Sequence, residues 1–316
     1  MSFSIEGTRN YTDCLWCPMT GHKSMHKTLL STLLLMVLSC SGNPTSDAAQ
    51  KHSLIVHENN QPVIAAPARE LRVATLNIAH GRGQSLNQLL VAEASMKTNL
   101  GQIARFLRTK NVHIAALQEV DAPSIWSGNI DQARFLAEAA GYGWWGQASH
   151  ASLGIADYGT AVLSAVPMRG ALGLDFPPSP PTAQKGFTLA EIEWTPEMGT
   201  QITLDVISIH MDFSRKSVRR QQMEELDKVM KERSNPLVLM GDFNSESLAA
   251  TLMKRAADSE RHLHTWTDDQ SAHFTYKQKR LDWIIVSGEL EIVDYTTADD
   301  PLSDHKAVIS DLRLVK

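Results

Sequence analysis

The sequence predicts an α/β domain built on a large sheet system. From Leu71 to the C-terminus, short apolar or alternating runs of strand composition interleave with segments of helical period, and no internal repeat or composition break divides them. Composition agrees with this. Among 316 residues, 43% hydrophobic and 21% charged, with Gly 18 and Pro 13, describe a globular protein and exclude collagen-like, low-complexity and wholly disordered chains.

The chain before Leu71 reads as address and linker. Residues 1–24 precede an internal methionine, Met25, and are taken as an upstream extension; Cys14 and Cys17 within them form a lone CxxC, a weak metal or redox signal without a second pair. Residues 25–39 are read as a signal peptide: His26 and Lys27 precede an apolar run from Thr28 to Leu38. That run is too short to cross a bilayer, which needs about 20 apolar residues. It closes on Val37-Leu38-Ser39-Cys40, which resembles the lipobox of bacterial lipoproteins, whose cysteine becomes the lipidated mature N-terminus. Leu38 is not the small residue usual there, so cleavage by ordinary signal peptidase stays open. The protein is expected to be exported to the cell envelope and held at a membrane through this anchor. Residues 40–70, rich in Asn, Pro, Ser, Gln and Ala, are read as a flexible tether. No cysteine follows Cys40, so the mature chain has no intramolecular disulfide framework and its stability must come from the core.

Within 71–316, strand composition marks Leu71–Ile78, His113–Val120, Thr160–Val166, Thr188–Trp194, Thr203–Met211, Leu237–Gly241, Leu281–Ser287 and Ala307–Leu314. Helical period marks Leu86–Thr109, Asp131–Ala140 with Gly141 as its C-cap, and Ser214–Arg233. In the last, Val218, Leu226, Val229 and Met230 share a face and Pro236 lies just beyond the end.

Polar residues stand where these strands begin or end. Asn77, Glu119 and His210 each close an apolar run, with Asp212 just after His210; Gly241-Asp242-Phe243-Asn244 follows another; Asp282 opens one and Ser303-Asp304-His305 precedes the last. Strands that deliver carboxylates, amides and imidazoles to one rim make a dry floor with a polar mouth. Such a mouth suits a hard cation and a phosphate, because Mg²⁺ prefers oxygen ligands. Singly, each residue has a plainer reading: Glu119 as a solvated loop carboxylate, Asp242 and Asn244 as turn formers, His210 as a hydrogen-bonded structural histidine, Asp304-His305 as a cap. Their joint occurrence in this order carries the chemical signal.

The ordered set Thr75-Leu76-Asn77, Leu117-Gln118-Glu119-Val120-Asp121, Tyr158-Gly159-Thr160, Ile209-His210, Gly241-Asp242-Phe243-Asn244, Arg280-Leu281-Asp282 and Ser303-Asp304-His305 resembles the endonuclease/exonuclease/phosphatase superfamily over the chain from about Leu71 to Lys316. The resemblance implies a four-layer α/β/β/α sandwich with two packed mixed β-sheets, and divalent-metal-dependent hydrolysis of phosphoesters with Mg²⁺, or Mn²⁺, as cofactor. Carried over by residue, Glu119, Asn77 and Asp304 stand at or beside the metal. Asp242 and Asn244 orient the attacking water, His210 stabilises charge on the phosphoryl oxygens, and His305 with Asp282 forms the catalytic pair. In-line attack on phosphorus needs these parts: an activated water, a cation on the non-bridging oxygens, and donors aimed at the growing charge.

Departures narrow the branch. Some nuclease members carry an acidic residue two places after the first asparagine; Ala79 stands there, which disfavours a two-metal mechanism. Met240 before Gly241 and Lys279-Arg280-Leu281-Asp282 at the later site disfavour the inositol-polyphosphate 5-phosphatase branch. The net charge of −5 disfavours long nucleic acid, since such binding is driven by Lys and Arg. A monomeric phosphoesterase acting on a small or lipid-linked substrate is therefore expected, with a secreted or anchored endonuclease/exonuclease, or a catalytically silent binding module, as alternatives. The cluster Arg215, Lys216, Arg219, Arg220 reads either as a solvated helix start or as a contact for an anionic group. Trp144-Trp145 reads either as core or as a stacking pair at the rim, and His262, His264 and His273 read as loop residues.

Overall fold

The computed structural model describes residues 48–315, apart from 60–61, 66–68, 86–90, 197–198, 200 and 259–260. The upstream extension, the signal peptide and Cys40 lie outside the described residues.

Fourteen strands form two seven-stranded sheets among the described residues. In chain order they are β1 (Gln50–Ser53), β2 (His57–Glu58), β3 (Leu71–Asn77), β4 (Ile114–Asp121), β5 (Trp144–Ser152), β6 (Asp157–Ser164), β7 (Met168–Asp175), β8 (Gly186–Trp194), β9 (Ile202–His210), β10 (Leu237–Asp242), β11 (Leu263–His264), β12 (Asp282–Ser287), β13 (Leu290–Thr297) and β14 (Val308–Leu314). Among the described residues there are four α-helices, α1 (Glu93–Thr109), α2 (Gln132–Ala140), α3 (Lys216–Lys231) and α4 (Leu248–Asp258). One sheet runs β1-β7-β8-β9-β10-β12-β11 and the other β13-β14-β3-β4-β6-β5-β2. Both are mixed, as expected: β3 pairs β4 and β9 pairs β10 in parallel, and the other ladders are antiparallel. Each parallel pair is joined through a helix, α1 or α3, as a parallel crossover requires.

Three apolar layers hold the sandwich. Leu71, Val73, Ile114 and Val162 from one sheet meet Ala190, Val206, Val238, Met240 and Ile284 from the other. The outer faces are covered separately. Leu100, Ile103 and Leu136 of α1 and α2 pack on Leu76, Ala115, Leu117 and Leu163, while Met223, Leu226, Val229 and Leu252 of α3 and α4 pack on Ile207, Ile209, Leu239 and Ile285. The result is the four-layer α/β/β/α sandwich.

Strand periodicity sorts these faces. On β9 and β10, Val206, Val238 and Met240 look between the sheets whereas Ile207, Ile209 and Leu239 look at helices, as alternation with period two demands. Gly241 lets β10 lie close to β9. Its φ is +145°, and a Cβ there would sit 2.0 Å from the Ile209 carbonyl oxygen. Helix α2 ends as its sequence requires, with Asp131 capping the Arg134 amide and Gly141 in the left-handed region at φ 87°.

Several expectations are corrected. Residues 50–58, assigned to a flexible tether over 40–70, supply edge strands to both sheets: β1 pairs β7 and β2 pairs β5. The following stretch is also docked, since the Val63 amide donates to the Gly141 carbonyl and Ile64 is buried. Composition missed this because the segment draws its partners from elsewhere in the chain. Helix α1 begins at Glu93 rather than Leu86. Strands β5, β7 and β13 and helix α4 were not anticipated; β7 carries Gly170 and Gly173, which dilute its strand character. Trp145 is core, buried and stacked on His57 at 5.2 Å. His264 lies on β11, and His273 is buried with Nε2 2.7 Å from Asp268.

Each ladder hydrogen bond contributes about 1 kcal/mol net. A chain starting at Leu71 is therefore expected to be less stable than one starting at Ala48 by about 2–4 kcal/mol and to self-associate through the bared edges of β5 and β7. Urea midpoints and sedimentation of the two chains check this; equal midpoints would return residues 50–58 to the status of a tether.

Candidate active site

The alternation that builds the inter-sheet core also aims the polar residues. Asn77 continues the inward set of Leu71 and Val73, and His210 continues that of Leu204 and Val206. Asp242 follows Val238 and Met240, and Asp282 precedes Ile284 and Val286. Register then sets them side by side, because on the central strand Asp242 is paired with His210 on one flank and Asp282 on the other. Between the apolar seam and this mouth lies a hydrogen-bonded band in which Gln118 donates to Thr75 and Ser208, and Ser208 to the Leu117 carbonyl.

Glu119 breaks the pattern. On a regular strand it would share the helix-facing side of Ala115 and Leu117. A bulge between Gln118 and Val120, with Glu119 at φ 54°, puts its side chain into the cleft instead. Non-glycine residues at positive φ are strained, and such strain gathers at functional sites. Asn244 at φ 50° and His80 at φ 56° share the feature.

The cleft has a volume of about 310 Å³, and Asn77, Glu119, His210, Asp242, Asn244, Asp304 and His305 all line it. Asp282 lies behind, fully buried, with its Oδ2 2.8 Å from His305 Nδ1. All eight residues singled out in the sequence thus converge on one place, seven on the cleft wall and one directly behind it. Asp242 is the hub: its Oδ2 accepts from Asn77 Nδ2 and Asn244 Nδ2, each at 3.2 Å, and lies 3.6 Å from His210 Nε2 and 3.9 Å from His305 Nε2.

Burial and crowding set the charges. Burial, with Asp282 next to it, pushes the Asp242 carboxyl up to about 7. Burial alone would keep His305 neutral, but Asp282 and Asp242 outweigh it and hold the imidazole up to about 10. Glu119 stays far below the ordinary carboxylate range despite its burial, because His80, Lys185 and His210 surround it. Burial and the Lys185 charge drive His210 the other way, so it is a neutral imidazole.

Three residues of the site escaped the sequence reading. Lys185 is buried with Nζ 3.2 Å from His210 Nε2, and burial lowers its pKa although Glu119 and Asp242 favour the charge. The register explains its place, because Gly186 pairs with His210 and Lys185 precedes it. His80 and Arg82 follow Asn77 closely; Arg82 Nη2 donates to Asp304 Oδ2 at 2.6 Å. Two expected features lie elsewhere. Asp212 is buried away from the cleft and caps the next turn, accepting from the Ser214 and Arg215 amides. Half of the basic cluster is spent on the fold: Arg219 donates to the Asp212 carbonyl, and Arg215 to Ser179 and Pro180 carbonyls, while Lys216 and Arg220 are exposed.

The donor set fits a hard divalent cation. Glu119 offers a carboxylate, Asn77 Oδ1 has a lone pair beyond the one taken by the Ala79 amide, and Asp304 offers a further oxygen. Asp242, Asp282 and His305 also bring potential ligand atoms within 4.8 Å of one another. There, however, the His305–Asp282 hydrogen bond already uses one nitrogen and one oxygen, the arrangement of an oriented imidazole.

Comparison with known proteins agrees. The model of the endonuclease/exonuclease/phosphatase family matches residues 74–305. No functionally curated protein matches in sequence. Among solved structures, an endonuclease/exonuclease/phosphatase from Beutenbergia cavernae is similar at 22% identity and TM-score 0.61, with 78% of this chain and 72% of that chain covered. Another from Bacteroides vulgatus aligns at 17% identity and TM-score 0.60 over 78% and 99%. A mannosyl-6-phosphatase from Bacteroides thetaiotaomicron aligns at 17% identity and TM-score 0.53 over 77% and 99%.

If Asp282 orients His305 and sustains its charge, Asp282→Asn and His305→Ala should each lower kcat/KM by ~10² to 10⁴-fold, and the double variant by little more than the worse single. The pH profile follows from the same groups. Acid removes the Asp242 carboxylate and alkali removes the His305 cation, so kcat/KM should rise through about pH 7 and fall through about pH 10, limbs that belong to the coupled pair. Multiplicative losses, or a near-normal rate in His305→Ala with an unchanged urea midpoint, would refute the pairing.

Proposed function

Since the chain belongs to the endonuclease/exonuclease/phosphatase family, whose members hydrolyse phosphoesters, we propose that it is a divalent-metal-dependent phosphoesterase, using Mg²⁺ or Mn²⁺, that cleaves a phosphodiester or phosphomonoester of a small or lipid-linked substrate by in-line water attack. The observation that carries this reading is the convergence of Asn77, Asn244, His210 and His305 on the Asp242 carboxylate, with Asp282 behind His305, in a cleft that Glu119 also lines.

Asp242, with Asn244 beside it, orients the water and takes its proton; a carboxylate poised near 7 is suited to that at neutral pH. His305, cationic and fixed by Asp282, and Lys185 beside the neutral His210 direct positive charge and N–H donors at the phosphoryl oxygens as charge grows on them. Glu119, Asn77 and Asp304 would hold the cation, which when bound draws charge from the phosphoryl oxygens.

The substrate class rests on what surrounds the cleft. Arg215 and Arg219 are committed to the fold, and the basic groups left, Lys279 on the cleft wall and the exposed Lys216 and Arg220, are few against a net charge of −5, which favours a small substrate over a long polyanion. Phe213, 64% exposed, stands at the lip and offers an apolar contact beside the polar wall. The neighbour named a mannosyl-6-phosphatase keeps small phosphomonoesters among the candidates. With Mg²⁺, turnover of bis-p-nitrophenyl phosphate, p-nitrophenyl phosphate, sphingomyelin or phosphoinositides is expected to exceed cleavage of plasmid DNA, and Glu119→Gln should abolish it in protein that circular dichroism shows to be folded. Full activity in excess EDTA would refute the metal dependence; DNA as the best substrate would establish the nuclease reading.

We also propose that the protein is exported and held at a membrane through lipid on Cys40. Mass spectrometry should find an acylated N-terminal Cys40, and Cys40→Ser should leave the membrane fraction. An unmodified mature N-terminus, or equal retention of both forms, would count against anchoring.

A further inference from the structure

Two loops beside the cleft carry no charged residue and present exposed isoleucines. One follows β4, from Ala122 to Ile130, and the other is the β5–β6 turn, from Leu153 to Ala156. Ile125 is 82% exposed and Ile155 40%. The loops are joined, since the Trp126 amide donates to the Ile155 carbonyl at 2.9 Å and the Ala122 amide to the Asp157 carbonyl at 2.8 Å. With Val91, Met96 and Trp126 the two isoleucines line a hollow of about 160 Å³. The patch adjoins the catalytic mouth, because the Trp126 ring lies 5.9 Å from that of His80, whose Nε2 is 3.4 Å from Glu119 Oε2. Phe213 faces it from the other sheet, on the loop after β9 and on the cleft wall.

The chain enters the fold at this same end. Gln50 pairs with Asp175, Asp175 with Gly186 and Gly186 with His210, so the first residue of β1 stands level with the mouth, three strands away. Three strand spacings come to about 14–15 Å. Cys40, to which the lipid is assigned above, precedes Gln50 by ten residues, a reach of at most about 36 Å. Such an anchor draws the mouth toward the bilayer. Turning the sandwich over would run the connection along the strands, about 30 Å for the nine residues of β9, and use up most of that reach.

We propose that these two loops and Phe213 form a bilayer-contact rim: Ile125, Ile155 and Phe213 enter the headgroup boundary of a phospholipid membrane, and the cleft between them takes the phosphate of a lipid that stays in the membrane. This rests on the phosphoesterase reading and deepens it, by choosing the lipid-linked substrate. Apolar side chains at such a boundary sink about 5–10 Å. Uncharged loops can follow them because no ion has to leave water. A protein partner is served less well, since a stable interface buries about 800 Å² per side and these side chains stand on either side of a polar cleft.

Trp126 reports on the rim, because it lines the hollow with both isoleucines. The whole protein is reconstituted in phosphatidylcholine vesicles brominated high on the acyl chains, and the emission of Trp126 is taken as the difference from Trp126→Phe. In the wild type that emission is expected to be quenched, and Ile125→Asp or Ile155→Asp should remove the quenching in vesicle-bound protein. Burying one isoleucine contributes a factor of ~10 to 100. Each substitution should therefore also lower turnover of sphingomyelin or phosphoinositide in vesicles by ~10-fold or more, with turnover of dissolved bis-p-nitrophenyl phosphate unchanged. Val315→Asp, at an exposed residue beyond the far end of β14, should alter none of these. Unquenched Trp126 in the wild type, or quenching and lipid turnover that the isoleucine variants retain, would overturn the rim. So would a dimer that Ile125→Asp makes monomeric, which assigns the patch to a second copy of the chain. Quenching that depends on the isoleucines, in a protein that hydrolyses neither lipid nor dissolved phosphoester, keeps the contact surface and removes the phosphoesterase reading.

Discussion

The mouth of the sandwich is arranged around one buried carboxylate, that of Asp242. It lies on β10, between β9 and β12 of one sheet, and accepts a hydrogen bond from Asn77 of the other, so the polar site itself joins the two sheets. A buried carboxylate without partners would be untenable. Here Asn77, Asn244, His210 and His305 crowd it, and the positive charge of His305 opposes the negative charge of Asp282 behind it. The same balance extends outward, with Lys185 and His80 beside Glu119 and Arg82 beside Asp304. Removing one charge leaves its neighbour uncompensated, so these side chains form a unit whose members do not act additively.

Much of this was legible beforehand because strand alternation is a local property. A residue such as Asp242 or His210 inherits its direction from the apolar residues two and four places before it, and their period is plain in the sequence. Helices α1, α2 and α3 were legible because helical period is local too, whereas the shorter α4 was not. Glu119 was found as a strand-end carboxylate, but not its route to the cleft. A bulge is a disagreement between two paired strands, and neither strand alone records it. Lys185 and His80 stayed hidden because a lone basic residue before a glycine, or a histidine in a turn, carries no local mark of what lies across the sheet.

The acidic and basic residues that misled are equally instructive. Asp212, Arg215 and Arg219 have the composition of an anion-binding lip, yet they are spent on each other and on the 179–182 turn. Their charges build the rigid loop behind Phe213 instead of greeting a ligand. Sequence proximity to His210 could not distinguish these roles, since both need cations after a strand end.

The N-terminal strands have a mechanical consequence. Strand β1 closes the edge of one sheet and β2 the edge of the other, with only Leu54, Ile55 and Val56 between them. From Ser53 to His57 the chain takes four steps, which extend to about 13–14 Å at most, little more than the ~10 Å at which packed sheets sit face to face. The slack in that link is therefore a few ångströms. Sliding or parting of the two edges beyond it must break a ladder of β1 or β2, so the N-terminal segment works as a short strap across one corner of the sandwich.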